Sequence, residues 1–92
     1  MFVVVSYDIP VDKRRTRVMK LLKGYGEHVQ ESVFECDLEP AVYHKMVQRL
    51  RALIDAEADN VCFYHLCAAD VPRIRKLGVA RPVQRARVFQ IV

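Results

Sequence analysis

Phe2-Val3-Val4-Val5-Ser6-Tyr7-Asp8-Ile9-Pro10 is a near-continuous apolar run that ends abruptly in a carboxylate. Phe2 and Val4 alternate with Val3 and Val5, so both faces are apolar. This predicts a central strand buried on both sides, because a half-exposed strand would alternate with polar residues. Asp8 then stands where the buried strand meets solvent. A carboxylate held there on a rigid element suits a metal ligand or a catalytic group. The same residue also has a structural reading, in which Asp8 opens the turn before Pro10 and a following helix.

Downstream, Asp12 reads as the N-cap of a helix that runs to about Lys23, with Gly24 closing it in the left-handed conformation. Val18, Leu21, Leu22 and Tyr25 share one helical stripe and face the core. Lys13, Arg14, Arg15 and Arg17 crowd the first turns, where the helix dipole favours negative charge. Local electrostatics there oppose the fold, as they often do at a functional surface, and a phosphate backbone would relieve the conflict. The structural alternative is that these long side chains cover the sheet edge with their stems.

Gly24-Tyr25-Gly26 punctuates the chain before two short strands, Glu27–Gln30 and residues 32–38. In the second, Ser32, Phe34, Cys36 and Leu38 share a buried face, while Val33, Glu35 and Asp37 share the other, where the acids are expected to be solvated. His28 and His44 have no second ligand at metal spacing and are expected on the surface. Pro40 starts a second helix ending near Glu57, with Tyr43, Met46, Val47, Leu50, Leu53 and Ile54 as its core stripe and Lys45, Arg49 and Arg51 outward. Residues 60–67 return to strand composition, with His65 as a hydrogen-bonded structural histidine. A linker with Pro72, Gly78 and Pro82 follows, carrying a short turn at 73–77, and residues 88–92 form a closing strand.

Strand, helix, strand, strand, helix, strand within 92 residues predicts a single α+β domain of the ferredoxin-like β-α-β-β-α-β kind, with an additional C-terminal strand. Two helices would cover one sheet face. The bare second face of an all-apolar first strand predicts a homodimer packed sheet against sheet, with the segment at about 79–92 paired to the partner's sheet edge.

Composition narrows the class further. The hydrophobic share of 52% and charged share of 28% are those of a globular protein, which excludes a disordered or low-complexity chain. The short apolar start lacks a basic flank and runs into Asp8 and Asp12, so neither a secretory signal nor a membrane span is expected. Cys36, Cys62 and Cys67 fall in apolar runs outside any CxxC pair and read as buried, reduced thiols of a cytoplasmic protein. No acid follows Asp70, whereas Arg73, Arg75, Lys76, Arg81, Arg85 and Arg87 do, which favours an anionic partner such as nucleic acid or an acidic protein surface; a merely solvated basic face is the alternative.

Tyr7-Asp8-Ile9-Pro10, Arg15-x-Arg17, Gln30-x-Ser32-Val33-Phe34-Glu35-Cys36 and the ferredoxin-like order together resemble the CRISPR-associated protein two family over residue 1 to about residue 66. The resemblance implies a cytoplasmic homodimer in which Asp8 of each subunit helps bind Mg²⁺ or Mn²⁺ at the interface. It also implies endonuclease activity on RNA or double-stranded DNA in CRISPR adaptation. The alternative it carries is a non-catalytic scaffold that holds duplex spacer-precursor DNA and bridges dimers of the spacer integrase. A toxin-like ribonuclease sharing the dimeric design is a further enzyme reading. Tyr7 and Asp8 match the site strand, Arg15 and Arg17 the helix basics, and Phe34 the aromatic near the site. His28 departs from the basic residue that some members carry before the Q-x-S-V-F strand.

Phosphodiester hydrolysis needs charge neutralised on the phosphoryl group and a deprotonated water, and Mg²⁺ supplies both while asking for few protein carboxylates. One Asp8 per subunit would serve, with Arg15 and Arg17 clamping phosphate and Ser32 orienting a water. Tyr7, Lys13, Arg14, Arg15, Arg17, Ser32 and Phe34 are thus the nucleic-acid-binding set and Asp8 the catalytic and metal-binding residue. No second acid or histidine stands at general-base spacing within one chain.

Overall fold

A computed structural model describes residues 1–78 of the chain. Its elements follow the predicted order: β1 (Phe2–Asp8), α1 (Asp12–Lys23), β2 (Glu27–Gln30), β3 (Val33–Asp37), α2 (Pro40–Leu53) and β4 (Asn60–Leu66), followed by a 3₁₀ turn at Val71–Arg73. The strands make one antiparallel sheet in the order β2-β3-β1-β4, and both helices pack on the same face of it. This is the ferredoxin-like fold. The closing strand at 88–92, the pairing expected of 79–92, and Arg81, Arg85 and Arg87 lie outside the described residues.

β1 is central because both of its faces find apolar cover. Val3, Val5 and Tyr7 turn towards the helices and pack with Val18 and Leu22 of α1 and with Met46 and Leu50 of α2. Burying side chains of this size stabilises the fold by about 1.5–3 kcal/mol each. On the opposite face Phe2 is buried against Val71, with Val4, Leu66 and Ile74 around it. The second face is therefore not bare, as β1 alone predicts: the chain's own segment at 71–76 crosses it after β4.

That crossing also corrects the reading of Glu35. Rather than being solvated on a polar strand face, Glu35 is only 6% exposed, and its carboxylate lies 2.9 Å from Lys76 Nζ, itself delivered by the returning segment. Asp37 is half-buried with the N-terminal amine 3.7 Å away. The expected turn at 73–77 is displaced to Val71–Arg73, where Pro72 fixes the backbone and Val71 reaches Phe2.

Four element ends differ from expectation for local reasons. Val11, not Asp12, occupies the N-cap of α1, and Asp12 instead bonds Arg15 one turn on. Gly24 closes α1 in the right-handed region, at φ −80°. α2 ends at Leu53 rather than near Glu57, because the chain folds into an Asp-capped turn. Asp55 accepts the Glu57 N–H at 3.0 Å, and Asp59 accepts the Asp55 N–H at 2.9 Å. Ser32 belongs to the β2–β3 turn at φ 65°, so β3 starts one residue later than expected.

Gly26 is where the chain demands glycine. A Cβ there would lie 2.4 Å from Cys36 Sγ and 2.5 Å from the Glu35 carbonyl oxygen, since the chain entering β2 is pressed against β3. Of the cysteines, only Cys36 is buried as expected, and burial, with the Glu35 charge adding to it, pushes its thiol up to about 12. Cys67 is exposed, in the connection after β4. His65 hydrogen-bonds the Tyr43 hydroxyl at 3.1 Å, though from an exposed position.

Candidate functional site

Alternation along β1 decides what stands together. Tyr7 points towards the helices, and Asp8, one residue on, points to the other face and is exposed at the strand's end. The two are adjacent in sequence and on opposite sides of the sheet. No hydrogen bond or ion pair engages the Asp8 carboxylate among the described residues. Its cross-strand partner on β4 is Asn60, also exposed; Ser6 pairs with Cys62 and Val4 with Tyr64 on the same face. Tyr64, 56% exposed, dominates the uncovered part of this face.

On the helix side, Tyr7, Arg15, Thr16, Met19, His28, Glu31 and Ser32 line a cavity of about 180 Å³. Burial raises the Tyr7 hydroxyl above the ordinary phenol range, partly offset by its hydrogen bond with Ser32. The positive φ of Ser32 carries its carbonyl to the Tyr7 N–H at 3.0 Å and sets the hydroxyl beside the phenol. Phe34 is fully buried beneath this cavity, stacked at 6.4 Å on Tyr7 and at 4.6 Å on His28. Its place is structural: no face of the ring is open to a nucleic acid. His28, expected on the surface, is half-buried because Phe34 supplies a ring to stack on.

The basic residues of α1 divide as sharply. Arg14 donates to both oxygens of Asp59, at 2.7 and 2.9 Å, and the Asp59 side chain has no exposed surface. This bidentate pair holds the Asp59 carboxyl below, and the Arg14 guanidinium above, their usual ranges. Arg15 donates to the Ile9 carbonyl at 2.9 Å and to Asp12, so it stabilises the turn that follows Asp8. Lys13 and Arg17, one turn apart, are exposed and have no ion pair among the described residues. Arg17 joins Lys20 and Arg49 along an open groove of about 500 Å³ between α1 and α2. Arg49 is fixed there by its bond to the Tyr25 hydroxyl at 2.9 Å and by lying over that ring.

Asn60 and the Arg17–Lys20–Arg49 groove escape a reading by local pattern. Arg17 and Lys20 share a helix face at a spacing of three, a signal open to sequence, but their meeting with Arg49 depends on how the helices pack. Replacing Arg14 by Ala is expected to lower the melting temperature by several degrees, because it strands the buried Asp59 carboxylate, yet to leave the salt dependence of nucleic-acid binding unchanged. Thermal unfolding by circular dichroism and a salt titration of binding check the two halves.

The donor set can be tested against a divalent ion. Among the described residues no three His, Cys, Asp or Glu side chains gather where they could hold one. The end of β1 offers the exposed carboxylate of Asp8, with the amide of Asn60 opposite it on β4. This suits Mg²⁺ or Mn²⁺, hard ions that keep several waters, and not a closed zinc site.

A four-stranded ferredoxin-like sheet, with an exposed carboxylate at the end of β1 that is unpaired among the described residues and basic side chains along its first helix, defines a class: small ferredoxin-like α+β proteins. The family described as CRISPR associated protein Cas2 matches residues 1–74, and the chain belongs to that family. It is 45% identical to the CRISPR-associated endoribonuclease Cas2 1 of Chloroflexus aurantiacus, over 100% of both chains. The crystal structure of Streptococcus pyogenes Cas2 superposes with a TM-score of 0.77 at 38% identity, covering 85% of this chain and 100% of that one. A hypothetical protein of Thermus thermophilus, TT1823, superposes at 0.79 with 39% identity, over 87% and 93% of the two chains. No helix of the described residues is long and apolar enough to cross a membrane.

Proposed function

We propose that the chain is a divalent-metal-dependent endonuclease of CRISPR adaptation that cuts RNA or double-stranded DNA as a homodimer with one Asp8 per subunit at the interface. The observation that carries the reading is the exposed Asp8 carboxylate, unpaired among the described residues, at the rigid end of a buried central strand. The name endoribonuclease, borne by the relative of Chloroflexus aurantiacus, supports RNA as a substrate. Asp8 would hold the ion, which when bound neutralises phosphoryl charge and lowers the pKa of a water. Lys13 and Arg17, exposed on α1, would take phosphates elsewhere along the same nucleic acid. Arg15, already tied to the Ile9 carbonyl, keeps the strand end in register. Tyr7, Ser32 and Phe34 shape the helix-side cavity and act on Asp8 only through the strand.

A single carboxylate per chain makes the second copy part of the site. The uncovered end of the sheet face, with Tyr64, Cys62, Ser6 and Asp8, is where that copy would pack. Light scattering at micromolar concentration is expected to give twice 10.7 kDa; a monomer mass would sink the paired site.

A second reading rests on the groove of Arg17, Lys20 and Arg49: a scaffold that binds duplex DNA without cutting and bridges the spacer integrase. Cleavage of duplex DNA and single-stranded RNA, with Mg²⁺, with Mn²⁺ and with chelator, separates the two. Activity lost with chelator supports the nuclease. Binding without cleavage in any metal favours the scaffold, and a toxin-like ribonuclease would cut RNA alone. If Lys13, Arg17, Lys20 and Arg49 each neutralise one phosphate, log K for duplex DNA falls with log salt at a slope of about −4, and the double substitution Arg17→Ala, Arg49→Ala reduces that slope by about 2.

A further inference from the structure

The proposed metal site leaves open what faces Asp8 within its own chain. Asp8 and Asn60 are directly opposite in the β1–β4 register and both are exposed on the sheet face away from the helices. Side chains so paired have Cβ atoms about 4.5–5.5 Å apart, so a carboxylate oxygen and an amide oxygen can meet at one ion without any backbone movement. The only hydrogen bond on the Asn60 amide among the described residues is a long one, 3.6 Å, from the Cys62 thiol to Oδ1. A thiol is a weak donor and does not compete with a hard cation for that oxygen.

The position of Asn60 is also held more firmly than an exposed strand end requires. The residue before it, Asp59, takes both bonds of the Arg14 guanidinium and the Asp55 N–H, and its side chain is wholly buried. The start of β4 is thereby tied to α1 and to the turn after α2. Asn60 leaves from that anchor directly across from Asp8. Such support is what a ligand-bearing position needs and what a solvated strand end does not.

We infer that Asn60 is the second protein ligand of the divalent ion, its side-chain oxygen completing with Asp8 a carboxylate–amide pair in each subunit. The inference rests on the proposed role of Asp8. An amide is the fitting choice opposite a carboxylate. It adds an oxygen ligand of the kind Mg²⁺ and Mn²⁺ accept, and no second negative charge to repel Asp8 when the ion is absent. Arg14 is the positioning residue behind it.

Manganese binding, read from the loss of the free-ion signal in electron paramagnetic resonance without nucleic acid, tests this on the full chain. Asp8→Asn, Asn60→Ala and Asn60→Asp are compared with the parent after their melting curves have been matched. Asp8→Asn is expected to lose binding, Asn60→Ala to weaken it about tenfold, and Asn60→Asp to tighten it severalfold by supplying a charged oxygen. Asn60→Ala binding as tightly as the parent, while Asp8→Asn does not bind, overturns the assignment of Asn60 and leaves Asp8 standing. Asp8→Asn binding like the parent, or a parent that takes up no Mn²⁺ at millimolar concentration, overturns the pair together with the proposed function.

Discussion

Asp8→Asn is expected to cut the rate of metal-dependent phosphodiester cleavage by roughly 10²-fold or more, with no loss of thermal stability and little change in nucleic-acid affinity. The size follows from removing the one open carboxylate of the site in both copies of the paired centre. The neutrality of the fold follows from its position: Asp8 is exposed at the end of β1 and holds up no other group among the described residues. Asparagine keeps the shape of the side chain, so register with β4 is unaffected. A mutant that cleaves at the parent's rate in Mg²⁺ would remove Asp8 from the chemistry. One that loses cleavage and melting temperature together would show a structural role instead.

Phe34→Ala is the substitution expected to cost most in stability, about 3–5 kcal/mol. A domain of this size has a total of roughly 5–15 kcal/mol to lose, so the loss is a large share of its stability. Phe34 has no exposed surface and is the largest fully buried side chain among the described residues. Tyr7 and His28 both stack on it. Truncation opens a cavity under the Tyr7–Ser32 pair. Urea denaturation should show a lower midpoint with an unchanged slope, and Phe34→Leu should recover most of the loss. Should Phe34→Ala melt like the parent yet fail to bind nucleic acid, the ring would have to act by contact, against its burial.

How much of this was legible beforehand depends on the distance over which each residue acts. β1 was legible because a double-sided apolar run has one good solution, the middle of a sheet. β2 came with its observed bounds, and α2 with its start, from turn residues and a proline. The burial of Glu35 was not, because its partner Lys76 arrives from far along the chain and alternation on β3 assigns the acid to water. Arg14 and Arg17 are indistinguishable in a list of helix basics. Asp59, 45 residues away, takes the first and leaves the second exposed. Tyr7 and Asp8 form one motif on paper, but the period of a strand sends them to opposite faces. Asn60 enters the site solely through the β4 register, which local pattern does not fix.

The two edges of the sheet are unequal. β2 is four residues long and broken by a register shift between His28 and Gln30, whereas β4 runs for seven residues in unbroken register with β1, and no described strand pairs with its outer side. A fibre grows by strand addition only if each subunit is receptive at both ends, head to tail without limit. Among the described residues the β2 end is blunted, so head-to-tail strand addition lacks one of the two receptive edges that it needs.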